Sequence, residues 1–396
     1  MMNKKVLILN GSFCEAPIIK KAKDMGLYVV TTGNMPSLAG HKYADEYIPA
    51  DYSDKEHILQ LVKENDIEGV ISCANDFGVL TAAYVAEHMG WAGHDRYETA
   101  KLLHHKNLFK QYVYEHNIRA PRSYCPENRE EAAAYVKNAE YPVIVKANDL
   151  TGGKGIRRAD DYNQAIEAIN YSYARSRDKH IVIEPFIAGS QHTYITFIVN
   201  KRVVCSTSCN CYSPVNPYLI QSEVLPADNI DVLEPELKSI VEGMTADLDL
   251  ADGIMALQYI VKDGKPYIIE TMRRAFGNRF LTLADKTTGF PWEEAYIKAA
   301  LGESCAGLEL TKPEYIYCGH HGIMAPHNGV IEGYEIAADI REHIFEKVDV
   351  LGPDKEIKDH LNERIAYIYY HYDSKEEMVD AVKSFNRDIK ITFAGE

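Results

Sequence analysis

Residues 143–156 read VIVKANDLTGGKGI. The opening run, Val143 to Lys146, has the β-branched character of a buried strand and delivers a lysine to that strand's end. The polar loop behind it holds Gly152, Gly153, Lys154 and Gly155. Adjacent glycines let backbone N–H groups approach phosphate oxygens, and lysines neutralise their charge. Standing alone, such a loop is equally well explained as a flexible hairpin turn. The P-loop pattern G-x-x-x-x-G-K-[ST] fails here, because Lys154 is followed by Gly155.

Outward from this stretch, three further segments carry chemistry. Lys106 stands at the start of a helix, and Glu184 ends a strand in the run IEPFIAGSQ (183–191). A hairpin, 254–261 and 267–270, turns through Lys262-Asp263-Gly264-Lys265 and leads into IIETMRRAFGN (268–278). Upstream, KVLIL (Lys5–Leu9) is a buried strand ending at Asn10-Gly11, followed by a helix that Gly26 stops. Strands at 27–32 and 69–73 alternate with helices at 54–64 and 78–88, a rhythm that predicts a parallel sheet covered on both faces. The loop after the first strand has Gly11 but no G-x-G-x-x-G, so a dinucleotide-dependent oxidoreductase lacks its fingerprint.

Between these landmarks the pattern predicts two helices over 97–117, a helix near 129–138, strands at 142–146, 180–184, 192–199 and 203–212, and a helix over 232–248. Beyond Pro313, short strands and a helix over 375–385 make a third piece. A chain of 396 residues exceeds one compact core. Its 43 Lys+Arg against 58 Asp+Glu give a net charge of −15, which argues against nucleic acid or an anionic membrane as partner. The apolar run from Val6 to Leu9 is too short for a signal-peptide core, and no stretch is long enough to span a bilayer. Eight cysteines without a secretion signal point to free thiols in a reducing cytosol.

In this order and spacing the segments resemble the ATP-grasp superfamily, most closely its carboxylate–amine ligase branch (phosphoribosylglycinamide synthetase-like proteins and L-amino acid ligases), over nearly the whole chain. The resemblance implies an α+β fold. A Rossmann-like α/β pre-ATP-grasp domain would span 1–100, a nucleotide-binding region of two subdomains 101–312, and a small mixed α/β domain 313–396. It implies ATP and Mg²⁺ as cofactors, a small-molecule carboxylate and amine as substrates, and a cytoplasmic location. A homodimer is common among relatives. Phosphoryl transfer to the carboxylate gives an acyl phosphate, which the amine attacks, releasing ADP and phosphate.

Residue by residue, Lys106 and Lys146 match the lysines that hold the ATP phosphates, and Gly153, Lys154 and Gly155 the mobile loop closing over them. Glu184 matches the carboxylate at the adenine end, with Phe186 and Ile187 at the hinge that reads the base. Gln191 stands where the family has a ribose-binding Glu. Glu270 matches the principal magnesium carboxylate, Arg274 the arginine that stabilises the developing acyl phosphate, and Asn278 a glycine-Asn element. Lys154 and Arg274 are thus the expected catalytic groups, with Arg274 and Asn278 toward the substrate. Two departures stand out: the other metal carboxylate aligns with Gln258, and the family's Asn after the metal Glu is Met272. They leave open an ATP-binding protein with a degenerate metal site.

Cys205, Cys209 and Cys211 form C-x-x-x-C-x-C. On a strand Cys209 and Cys211 share a face, but a zinc site takes four ligands and the sequence supplies no partner pair, though folding can bring His192 or His320 near. Buried free thiols are the expectation. His320-His321 reads as a packed pair, and YIYYHY (367–372) as a strand with aromatic packing.

Overall fold

The structure is a computed structural model that describes residues 3–72, 74–352 and 355–395. At the N-terminus, Lys5–Leu9 is the second-innermost of four parallel strands. It pairs with Tyr28–Gly33 on one side and Gly69–Ile71 on the other, and Glu46–Pro49 adds the far edge. Val6 to Leu9 are fully buried, as a strand covered on both faces requires. The helices begin where the caps allow. Asp54 accepts from the His57 N–H at 3.1 Å ahead of Lys55–Glu64, and Asn75 accepts from the Phe77 N–H at 3.0 Å ahead of Asp76–Met89. The expected end of the last parallel strand, Cys73, lies outside the described residues.

A three-stranded antiparallel sheet follows, with Val143–Ala147 between Ile156–Ala159 and Ile181–Pro185. It packs against the helix Tyr162–Arg175, which Asp161 caps. The glycine-rich loop is the connection between the first two of these strands.

The largest element is an eight-stranded sheet. Its order is Lys265–Met272, Gly253–Lys262, Ser190–Val199, Arg202–Tyr212, Ser222–Leu225, Tyr317–Ile323, Ala366–Tyr372 and Ile344–Asp349. Neighbouring strands are antiparallel throughout. The hairpin joining its first two strands turns through Asp263 and Gly264, both with positive φ (51° and 70°), as a two-residue turn of this hand requires. One face covers Leu233, Leu237 and Val241 of the helix Ile230–Asp247. The other packs against the N-terminal strands and the helices Phe280–Thr288 and Trp292–Ala300. Strands from both sides of residue 312 therefore share one sheet. The helices Phe280–Thr288 and Trp292–Ala300 and the strand Ser222–Leu225 add to the elements expected from sequence.

Register decides which side chains meet. Residues paired across neighbouring strands lie on the same face. Glu270, Gln258, Thr193 and Cys209 thus form one row across four strands. Gln191, Cys211, Glu223 and His320 form the adjacent row on that face.

Candidate active site

The centre of the cleft is a buried carboxylate gripped by two lysines. Glu184 is 1% exposed, and its Oε2 receives the Lys146 ammonium at 2.6 Å while Oε1 stands 3.1 Å from Lys110 Nζ. Ser123 Oγ donates to the same Oε1 at 2.6 Å. Burial alone would raise the pKa of Glu184. The charges of Lys110 and Lys146 overcome that and hold it at about 2.

Lys110 is the member that sequence reading missed. It lies one turn beyond Lys106 on the helix Lys106–Glu115, so both ammonium groups leave the same helix face. Its signal was present in the K-x-x-x-K spacing, but a solvated helix face gives the same pattern. Burial lowers the pKa of both Lys106 and Lys110, opposed by Glu270 at Lys106 and by Glu184 at Lys110. Lys106 Nζ donates to the Leu150 carbonyl at the root of the glycine-rich loop. Three lysines against Glu184 and Glu270 leave one net positive charge in the cleft.

In the loop itself Gly152, Gly153 and Gly155 all adopt positive φ (65°, 76° and 70°), which explains why glycine is required there. A Cβ on Gly153 would lie 2.4 Å from the Tyr218 carbonyl oxygen, so the loop rests directly on the 213–221 segment. Tyr218 OH also accepts from the Arg158 N–H at 2.8 Å. Lys154 is exposed at the loop tip.

At the hinge, the Phe186 N–H is donated to the Pro142 carbonyl at 2.9 Å, and the Phe186 ring lies under the Arg158 guanidinium at 4.4 Å. Ile187 follows, part-buried. Gln191 lies in register with Ile260 and Cys211, on the cleft face but one row away from Glu270. Gln258 and Glu270 are direct cross-strand partners, which places one amide and one carboxylate together. Met272 pairs with Ala256 and packs on the apolar core.

Arg274 is engaged by the N-terminal sheet region. Its Nε and Nη2 donate to Asp76 Oδ1 and Oδ2 at 2.8 and 2.9 Å, and both residues are buried. Thr151 Oγ1 of the glycine-rich loop donates to Asp76 Oδ2 at 2.7 Å. Burial raises the Asp76 pKa, but Arg274 more than reverses this and holds the carboxyl well below its ordinary range. His104, 3.8 Å from Asp76, is pushed down to about 4 by burial despite the nearby carboxylate. Asn278 is bonded to a different set of groups. Its Nδ2 donates to Glu223 Oε2 at 2.7 Å and lies 2.8 Å from His320 Nε2.

Of the sequence-expected residues, Lys106, Lys146 and Glu184 converge with Lys110, and Glu270 with Gln258. Asn278 joins a separate cluster around Glu223. Asp76, Thr151 and Ser123 were not singled out, since single polar residues at loop ends carry no spacing signal.

Residues 105–307 match the family model described as the carbamoyl-phosphate synthase L chain, ATP binding domain. The chain belongs to that family. A curated relative, the carbamoyl phosphate synthase large chain, C-terminal section, of Aquifex aeolicus (strain VF5), is 22% identical over 334 residues, 76% of this chain. The chain spans 59% of that relative's length. Among solved structures, the L-amino acid ligase from Bacillus licheniformis superposes with a TM-score of 0.82 at 18% identity, covering 100% of both chains. The phosphoribosylglycinamide synthetase from Anaerococcus prevotii gives 0.77 at 22%, covering 99% of this chain and 100% of that one. The fold is the ATP-grasp fold that the motif order implied. No described helix is long and apolar enough to cross a membrane.

Proposed function

We propose that this protein is an ATP-dependent ligase joining a small carboxylic acid to an amine through an acyl phosphate, with release of ADP and phosphate. The observation that carries the reading is the grip of Lys110 and Lys146 on Glu184, with Lys106 one turn away on the same helix, beside a positive-φ glycine loop. That is a charge-neutralising cradle for a polyphosphate, built before any ligand arrives.

The donor set at Glu270 and Gln258 fits a hard cation, since both offer oxygen and sit opposite each other. A magnesium ion held there would supply charge neutralisation between phosphate oxygens. Lys106 and Lys146 would hold phosphate oxygens, and Glu184 fixes the directions of the Lys146 and Lys110 ammonium groups. The backbone at Ile187 would meet the base. Gly153 to Gly155, with Lys154, would cover the reacting phosphate and exclude water. Arg274, fixed in direction by Asp76, would face the developing charge on the carboxylate. The −15 net charge argues against nucleic acid or an anionic membrane as partner, and free thiols support a reducing, cytoplasmic setting.

The test is ADP release from magnesium ATP across a matrix of carboxylic acids, each with and without amino acids, amines and ammonia. Release that needs one acid and one amine together, with a product mass equal to their condensation, supports the ligase. ATP binding without release under any pair would overturn it.

A further inference from the structure

Three potential metal donors converge at one point on the cleft face of the large sheet, where none was expected. Cys209 and Cys211 share a face of the strand Arg202–Tyr212, and their sulfurs are 4.0 Å apart. Glu223, on the neighbouring strand and in register with Cys211, brings Oε1 to 3.4 Å from Cys209 Sγ and 3.9 Å from Cys211 Sγ. A tetrahedral cation with sulfur at ~2.3 Å and oxygen at ~2.1 Å would space two sulfurs ~3.8 Å apart and sulfur from oxygen ~3.6 Å. The observed triangle already has those dimensions within a few tenths of an ångström.

The surroundings suit a ligand set. Glu223 is 3% exposed, and among the described residues it meets no lysine or arginine at ion-pair distance. Its second oxygen is held by Asn278 Nδ2 at 2.7 Å and His320 Nε2 at 2.8 Å, which leaves Oε1 aimed at the sulfurs. This outer pair orients a carboxylate much as outer-shell partners orient metal ligands. His192, the other histidine considered from sequence, lies on the opposite face, in register with Asn210 and Tyr259. All three cysteines of the C-x-x-x-C-x-C run are free thiols, as expected, with Cys209 buried and Cys205 and Cys211 partly so.

We propose that Cys209, Cys211 and Glu223 form a three-donor site for a thiophilic divalent cation of the zinc class. Cys209 is fully buried and Cys211 part-exposed, so a fourth position on the Cys211 side is left for water or a donor atom of a bound small molecule. The site lies about 14 Å from Glu270, three interstrand steps of ~4.8 Å away, and is distinct from the oxygen pair at Gln258. It stands on its own geometry and does not depend on the ligase reading.

The experiment uses the full-length protein without nucleotide. Zinc, and separately cobalt(II), is added to chelator-treated, reduced protein, and metal per chain and the thiolate-to-cobalt charge-transfer absorption are read. The site predicts one equivalent of zinc per chain and a thiolate band in the wild type. Cys211→Ser should cut the band by about half or more and weaken zinc at least tenfold, Glu223→Gln should weaken zinc ten- to a hundredfold, and Cys318→Ser should change neither. A wild-type protein that holds well under one zinc per chain, or shows no thiolate band, overturns the proposal without recourse to any variant. Equal zinc affinity in folded Cys211→Ser also overturns it.

Discussion

Asp76 and Arg274 are joined by two parallel hydrogen bonds of 2.8 and 2.9 Å, across the boundary between the four-stranded N-terminal sheet and the eight-stranded one. The planar guanidinium matches the carboxylate fork, and burial of both partners keeps the pair unscreened. Because Thr151 donates to the same carboxylate, one residue of the N-terminal region fixes both the arginine and the base of the glycine-rich loop.

Asp76→Ala leaves Arg274 buried opposite an empty position. The cost should be about 3–5 kcal/mol of stability, the penalty for stripping one partner from a buried pair. A urea unfolding midpoint within error of wild type would show that the pair contributes nothing.

Lys146→Ala should abolish ADP formation while preserving the fold, because Lys110 still neutralises Glu184. Glu270→Ala should do the same by removing the carboxylate of the metal pair. Circular dichroism reports the fold and ADP release the activity. Turnover at the wild-type rate in either variant would sink the site assignment.

Glu184 links stability to acid pH. Its folded pKa of about 2 lies below the ordinary value of 4.5, so its contribution is complete above 4.5 and disappears as pH falls toward 2. Denaturant midpoints of the wild type should therefore drop steeply across that window. Glu184→Gln, already missing the charge, should be destabilised at pH 7 by about 3–5 kcal/mol and lose that part of the acid slope. Parallel slopes for the two proteins would count against the coupling.

Gln258→Glu places a second carboxylate directly across from Glu270. If the pair holds magnesium, the half-saturating magnesium concentration for ADP release should fall by roughly tenfold, since a hard cation gains a full ligand charge. No change would remove Gln258 from the metal site.

Gly153→Ala adds a Cβ 2.4 Å from the Tyr218 carbonyl oxygen at a position with φ of 76°. The loop can then no longer rest on the 213–221 segment, and turnover should fall at least tenfold with little loss of ATP affinity, as water reaches the reacting phosphate. Gly152→Ala, with open space at its Cβ, should be milder. Equal effects would assign the loss to backbone conformation and not to contact.

Much of this was legible in the chain. The KVLIL strand, the Asp263-Gly264 turn and the lysine-bearing strand before the glycines are local signals: periodicity and turn chemistry act over a few residues. Lys106, Lys146, Glu184 and Glu270 were legible because a known order of motifs tied them together. Lys110, Asp76 and Glu223 were not. Lys110 and Asp76 acquire their roles from partners more than seventy residues away, and Glu223 from the pairing of its strand with the one that carries the cysteines. The cysteine pair shows the same limit from the other side. The alternation of a strand put Cys209 and Cys211 on one face, but the register of a different strand supplied the carboxylate between them.

The strand Ser222–Leu225 pairs on one side with Arg202–Tyr212 and on the other with Tyr317–Ile323. As the chain leaves the ribosome, the first neighbour is already present and the second is not made until about ninety residues later, on the order of ten seconds at ordinary synthesis rates. For that interval a sheet with a bare, hydrogen-bond-hungry edge is exposed to the crowded cell, and the same edge would persist in any chain truncated near residue 312. Nascent chains of this protein should thus be clients of holding chaperones late in synthesis, and fragments ending before Tyr317 should be recovered as aggregates.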